Sequence, residues 1–205
     1  RGGATPGIEC ALPPFAFAPG ATRLRLRLLA TSDLHAHLAA YDYFTDRSAP
    51  HLGLAQIAQL VAAARAEPGV ATLLVDNGDF LQGTPLGDLA AEGALGPGPH
   101  PVIAAMNVLG YDAAALGNHE FNFGLPVLRQ VLAAARFPVL AANISGAGLP
   151  SAPQVVLTRH VADGAGRVHA LRIGLAGFVP PQILTWDRQH LEGRLAARDI
   201  LAAAR

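Results

Sequence analysis

The sequence predicts an α/β domain built on a mixed sheet. Strand-like runs alternate with helix-like runs early in the chain, and two later strand-like runs flank a short polar turn, as a hairpin would. Composition agrees: 205 residues, 51% hydrophobic and 15% charged, suit the core of one domain and carry too little charge for disorder.

Taken in order, residues 1–22 are rich in Pro, Gly and Ala and read as a flexible arm or leader remnant, with order starting at Arg23. In RLRLRLLA, Leu24, Leu26 and Leu28 alternate with Arg, which predicts a strand with one face on the core and the other wet. HLGLAQIAQLVAAARAE sets Leu54, Ile57, Ala58 and Val61 at helical spacing, and Pro68-Gly69 ends that helix. ATLLV is a continuous apolar run ending in DNGD, as a buried strand would be. LQGTPLGD opens a helix with Thr84 as N-cap before Pro85. HPVIAAMNVLG is a helix with Pro101 near its start and Gly110 at its close. DAAALGNHE is a short strand followed by a polar loop. LPVLRQVLAAAR is helical through Leu125, Leu128 and Leu132, and FPVLAANI is another short strand. QVVLTRHV and RVHALRIGLAGF form the hairpin around ADGAG, and RDILAAAR begins a last helix.

Lys+Arg and Asp+Glu are both 15, so no basic field points to a nucleic-acid polymer or an anionic membrane. The single cysteine, Cys10, excludes an intramolecular disulfide. No run of about 18 apolar residues offers a membrane span. No basic segment followed by an apolar core marks a signal peptide.

Three strand-like runs end in polar clusters: SDLHAH after Leu29, DNGD after Val75 and GNHE after Leu116. Sites in open α/β sheets gather at the carboxyl ends of strands. Each cluster also has a plain reading as a turn or helix cap, and Asn77-Gly78 is a strong turn dipeptide. A turn needs Gly, Asn and Asp, however, and not His35, His119 and Glu120. Asp and His together suit Zn, Mn, Fe or Co better than Ca, which prefers oxygen alone. In extended backbone Asp33 and His35 would face one side and hold one ion. Asp79 could bridge to a second, and Asn118 could offer that ion its amide oxygen. His119 could protonate a leaving group or stabilise transition-state charge.

In this order and spacing, Asp33-x-His35, Gly78-Asp79 and Gly117-Asn118-His119-Glu120 resemble the signature of the calcineurin-like metallophosphoesterases of the 5'-nucleotidase family. LRLLATSDLHAHLAAYDYFTD, LLVDNGDFLQGTPLGDL, HPVIAAMNVLGYDAAALGNHEFNFGL and IGLAGFVPPQILTWDRQHLEG look like its periplasmic 2',3'-cyclic-nucleotide 2'-phosphodiesterase/3'-nucleotidase branch, from about Arg23 to Arg205. The resemblance implies a four-layer α/β/β/α sandwich with mixed sheets, C-terminally incomplete, with 23–205 as the N-terminal part of the catalytic domain. It implies two divalent ions, the first on Asp33 and His35, with Asp79 bridging and Asn118 on the second. Asn118 and His119 would meet the substrate phosphate, and His119 would assist the leaving group. It also implies a nucleotide substrate, an extracytoplasmic location, and a C-terminal nucleotide-binding domain in the full-length chain.

Two departures bear on this. Asn122 stands where related 5'-nucleotidases commonly carry Asp, which favours the cyclic-phosphodiesterase branch; an amide can orient His119 but cannot hold it protonated as a carboxylate would. The later His and the Gly-His-x-His segment that complete the family's metal site are missing, so the chain is expected to supply part of that site. The alternatives are a 5'-nucleotidase or broad nucleotide phosphatase of the same superfamily, and an inactive fragment with a partial metal site. His37, Asp76 and Glu120 are expected to support the loops and ligands rather than bind metal. His51, His100, His160, His169 and His190 are expected to be structural or surface residues.

Overall fold

A computed structural model describes residues 22–205, so the arm expected over 1–22 lies, but for its last position, outside the described residues. In chain order these residues form β1 (Arg25–Thr31), β2 (Tyr41–Asp42), β3 (Arg47–Ser48), α1 (Leu54–Arg65), β4 (Val70–Asp76), α2 (Pro85–Ala91) and α3 (Pro101–Leu109). Then come β5 (Ala113–Ala115), a 3-10 turn at His119–Phe121, α4 (Gly124–Ala133), β6 (Val139–Leu140), β7 (Ile144–Gly146), β8 (Gln154–Ala162) and β9 (Val168–Ala176). The short elements α5 (Ile183–Trp186), α6 (Arg188–Leu191), β10 (Leu195–Ala197) and α7 (Ile200–Ala204) finish the chain.

One sheet is parallel, in the order β1-β4-β5-β6. Helical crossovers join its strands, as parallel pairing requires. Antiparallel pairing is confined to three two-stranded units, β8-β9, β7-β10 and β2-β3. Parallel and antiparallel pairing therefore occur together in the chain but sheet by sheet. β4 is central, and its Leu73 and Leu74 are fully buried. The core around it holds Ile103 and Met106 of α3, Leu128 and Leu132 of α4, and Leu54 and Val61 of α1. Each such side chain contributes about 1.5–3 kcal/mol by leaving water. The helix starts are those the sequence signals: Thr84 Oγ1 accepts from Gly87 N–H at 3.5 Å, with Pro85 next in the chain.

β1 corrects the sequence reading. Its leucines, not its arginines, carry the open face: Leu26 and Leu28 are 44% and 58% exposed. The arginines lie over the end of α1. Arg27 donates to the Ala64 carbonyl at 2.9 Å and pairs with Glu67, and Arg25 donates to Glu67 at 3.0 Å and to the Pro68 carbonyl. Long stems and guanidinium forks let Arg cover a helix end that leaves carbonyls unpaired. Alternation fixed the strand but not which face turns inward. On the leucine side an apolar cavity of about 450 Å³ is lined by Leu28, Ala30, Val75, Leu140 and Leu175.

Candidate metal centre

Parallel register brings the three polar clusters together. Thr31 pairs with Asp76, and Asp76 with Ala114, so β1, β4 and β5 end side by side. Beyond the strands the first two loops stay joined through backbone. Asp33 N–H donates to the Gly78 carbonyl at 3.0 Å, His35 N–H to Asp79 at 2.9 Å and Ala36 N–H to Phe80 at 3.0 Å. The backbone is not extended here, contrary to the geometry expected for Asp-x-His. Asp33, His35 and Ala36 have φ of 55°, 46° and 57°, and Asp79 has φ 62°. Left-handed conformations cost non-glycine residues energy and persist where surrounding bonds fix them. Asp33 and His35 thus come together through the turn rather than through strand alternation.

The side chains converge. His35 Nε2 lies 3.7 Å from Asp33 Oδ1. One ligand atom from each of His35, Asp79 and His119 falls within 4.8 Å of the others. His35 Nδ1 sits 2.6 Å from the Gln82 carbonyl. A carbonyl only accepts, so Nδ1 carries the proton and the Nε2 lone pair is free for a metal. The His35 and His119 rings meet edge to face at 5.1 Å. Asn118 immediately precedes the 3-10 turn that carries His119, and His119 N–H donates to Asp79 Oδ1 at 2.8 Å, which seats the third loop on the second.

Glu120 ties the arrangement from beneath. Its carboxylate is buried and accepts four backbone N–H groups: Asp79 at 2.8 Å, Phe80 at 2.7 Å, Leu81 at 3.2 Å and Gly117 at 2.7 Å. Burial pushes its carboxyl up to about 7, against the N–H groups that favour the ionised form. The loops also touch at Gly78 and Gly117. A Cβ at Gly78, where φ is 99°, would fall 2.3 Å from Gly117 N, and one at Gly117 would fall 2.2 Å from Asp79 Oδ1. Only glycine allows this approach. Behind the first loop, Thr31 Oγ1 donates to buried Asp76 at 2.5 Å, and Asp76 also accepts from Gly78 N–H at 2.8 Å. Asp76 and Glu120 therefore anchor loops, as expected.

His119 Nδ1 lies 2.7 Å from Asn122 Oδ1. Asn122 Nδ2 in turn donates to Asp187 Oδ1 at 2.9 Å. Sequence reasoning missed Asp187. It sits in the TWD stretch about 65 positions beyond Asn122, and nothing local marks a lone Asp between two short helices. The His37 ring lies beside Tyr43, with centroids 6.2 Å apart, and its carbonyl accepts from Leu54 N–H at 2.9 Å. The other histidines take structural places where the structure gives them partners: His100 caps α3, and His169 Nε2 pairs with Asp163 at 2.8 Å in the hairpin turn.

Two carboxylates and a correctly oriented imidazole, with His119 alongside, suit a divalent ion of borderline hardness. Among the described residues His35, Asp79 and His119 are close enough to share such an ion, with Asp33 beside His35. The side chain of Asp33 is 60% exposed, so the cluster opens to solvent and to a ligand from that side.

Comparison with known proteins agrees with this geometry. The family profile "Calcineurin-like phosphoesterase" matches residues 26–193. The trifunctional nucleotide phosphoesterase protein YfkN of Bacillus subtilis is 41% identical over 94% of this chain, which spans 14% of that protein. The 2',3'-cyclic-nucleotide 2'-phosphodiesterase/3'-nucleotidase of Haemophilus influenzae is 40% identical over 93% of this chain and 29% of its own length. The crystal structure of the calcineurin-like phosphoesterase YfkN from Bacillus subtilis superposes with a TM-score of 0.82 at 41% identity, covering 90% of this chain and 57% of that one. The chain thus spans less than a third of the curated relatives it matches. Three loops converging at the ends of β1, β4 and β5, together with these matches, place the chain in the calcineurin-like phosphoesterase family, whose members use divalent metals.

Proposed function

We propose that this chain is the N-terminal part of a metal-dependent phosphoesterase that hydrolyses 2',3'-cyclic nucleotides and 3'-nucleotides. The observation that carries the reading is the convergence of His35, Asp79 and His119 within 4.8 Å, with Asp33 beside His35. Bound here, two divalent ions of Zn, Mn, Fe or Co type would polarise the phosphoryl oxygens and lower the pKa of a water. Asp33 and His35 would hold the first ion, Asp79 would be shared between the two, and the Asn118 amide oxygen would serve the second and the phosphate. His119 presents Nε2, the nitrogen not engaged by Asn122, to the leaving ribose oxygen. Protonated on both ring nitrogens, it would give up the Nε2 proton as water adds to phosphorus and the P–O2' bond breaks in the cyclic ester, or the P–O3' bond in the 3'-nucleotide, and would be left as the Nδ1–H tautomer. The same reading places the protein outside the cytoplasm and expects a C-terminal nucleotide-binding domain. Among the described residues no helix is long and apolar enough to cross a membrane.

A broader nucleotide phosphatase is the second reading, favoured by the name of the trifunctional relative. Asn122, in place of the Asp common in 5'-nucleotidases, favours the first. Initial rates of the metal-loaded protein on 2',3'-cyclic AMP, 3'-AMP and 5'-AMP separate them. The first reading expects the cyclic and 3' substrates to lead, and comparable or faster turnover of 5'-AMP defeats it. Two metals bound without turnover of any of these would support a non-catalytic metal-binding chain.

A further inference from the structure

The proposed role of His119 requires one nitrogen to face the phosphate in a defined protonation pattern. The hydrogen-bond partner of its side chain among the described residues is Asn122, and an amide is ambiguous. It can offer Oδ1 as acceptor or Nδ2 as donor, and the two choices impose opposite tautomers on the ring. The structure resolves the ambiguity one residue further back. Asn122 Nδ2 donates to Asp187 Oδ1 at 2.9 Å, and Asp187 is only 5% exposed. A carboxylate can only accept, so the amide nitrogen faces Asp187, the amide oxygen faces His119, and Nδ1 of His119 carries the proton at 2.7 Å.

The placement of Asp187 argues for such a purpose. It stands at the junction of α5 and α6, where an Asp would ordinarily cap the following helix with its side chain. Here the carboxylate makes no capping bond. The main chain does that work instead, with the Asp187 carbonyl accepting from His190 N–H at 2.8 Å and Leu191 N–H at 3.1 Å. Ile183 and Leu191, on either side, are fully buried. Asp187 Oδ2 is buried without a hydrogen-bond partner among the described residues. A carboxylate left half-satisfied in an apolar setting is costly and persists where another gain offsets it.

We infer that Asp187 is a positioning residue: through Asn122 it fixes the Nδ1–H tautomer of His119 and so keeps Nε2 toward the phosphate. This rests on the reading of His119 given above. Asn122 and Asp187 together do here what a single carboxylate beside the histidine would do, with a neutral group interposed.

The test uses the full-length, metal-loaded protein and Asp187→Leu, which removes the acceptor at similar volume. Long-range 15N–1H spectra, with His119 assigned by comparison with His119→Gln, report the tautomer independently of turnover. The wild type should show Nδ1–H, and Asp187→Leu should show the other tautomer or a mixture. kcat should fall about 10- to 100-fold, with KM and metal content unchanged. Should Asp187→Leu not fold, the swapped pair decides. Asn122→Asp alone sets two carboxylates together and should lose activity, and adding Asp187→Asn should restore both the Nδ1–H signal and most of kcat. A tautomer unchanged in Asp187→Leu, or a swapped pair no better than Asn122→Asp alone, overturns the inference. If no nucleotide is turned over by metal-loaded wild type, the proposed reaction fails, while the tautomer readings still decide the role of Asp187.

Discussion

The backbone N–H of His119 donates to Asp79 Oδ1 at 2.8 Å, so the loop after β5 is docked on the loop after β4 through a side chain of the candidate metal site. One carboxylate oxygen seats the catalytic candidate while the other stays available. The position of His119 and the metal geometry are therefore coupled, and a change to either loop should move both.

Gly117→Ala tests that coupling without removing any functional group. A Cβ there would fall 2.2 Å from Asp79 Oδ1 and 2.6 Å from Asp79 N, so the carboxylate or the loop must shift. Metal affinity, by isothermal titration, should weaken about 10- to 100-fold. Stability should fall by about 1–3 kcal/mol in denaturant unfolding. Wild-type affinity in this variant would show that the two loops are not coupled as described.

His119→Asn separates a proton-transferring histidine from a ligand. With His119 acting on the leaving group, kcat should drop about 10²- to 10⁴-fold while metal content by elemental analysis stays at the wild-type level. Loss of metal in step with activity would move His119 into the ligand set beside His35 and Asp79.

Glu120→Ala should be among the most destabilising single changes in the domain. Four backbone N–H groups that now meet one buried carboxylate would be left to find other partners. The expected loss is about 3–5 kcal/mol, read from the urea midpoint. Glu120→Gln should fall between, because its amide nitrogen would face donors. A loss below about 1 kcal/mol for Glu120→Ala would mean that the loops hold without it.

His100 predicts part of the pH dependence of stability. Burial lowers its pKa from 6.5 to about 4, and its Nδ1 accepts from Val102 N–H at 3.3 Å, which requires the neutral ring. The folded pKa lies below the unfolded one, so the unfolded chain binds the proton first as pH falls. Stability from this group is present above about 6.5 and is lost as pH drops toward 4, by up to about 3 kcal/mol. His100→Asn keeps a good cap and removes the titration. Its unfolding free energy should therefore decline less than that of the wild type between pH 6.5 and 4. Parallel curves would remove His100 from the account.

Much of this was legible in the sequence. The order of strands and helices follows from periodicity, and Thr84, Pro101 and Gly110 mark helix ends where the structure has them. The three polar clusters stood out because each follows an apolar run, and parallel register then brings them together. Other features depend on tertiary contacts that local pattern does not carry. The inward face of β1 is set by α1 lying over its arginines, and alternation reads the same either way. The left-handed turn at Asp33 and His35 is imposed by backbone bonds to Gly78 and Asp79, 44 or more positions away. Pairs of two or three residues, such as β2 with β3 and β7 with β10, are too short to show a period. Asp187 is linked to His119 through Asn122, and no spacing rule connects them.

The most direct measurement of the central claim is metal content and turnover of 2',3'-cyclic AMP by the full-length protein, wild type against Asp79→Asn. On the proposed reading Asp79 would serve both ions, so its loss should reduce bound metal and lower kcat by at least about 10²-fold. The wild type should carry two ions per chain and convert the cyclic substrate through 3'-AMP to adenosine and phosphate. Equal metal content and equal turnover in the two proteins, or a metal-loaded wild type that leaves the cyclic substrate intact, would contradict it.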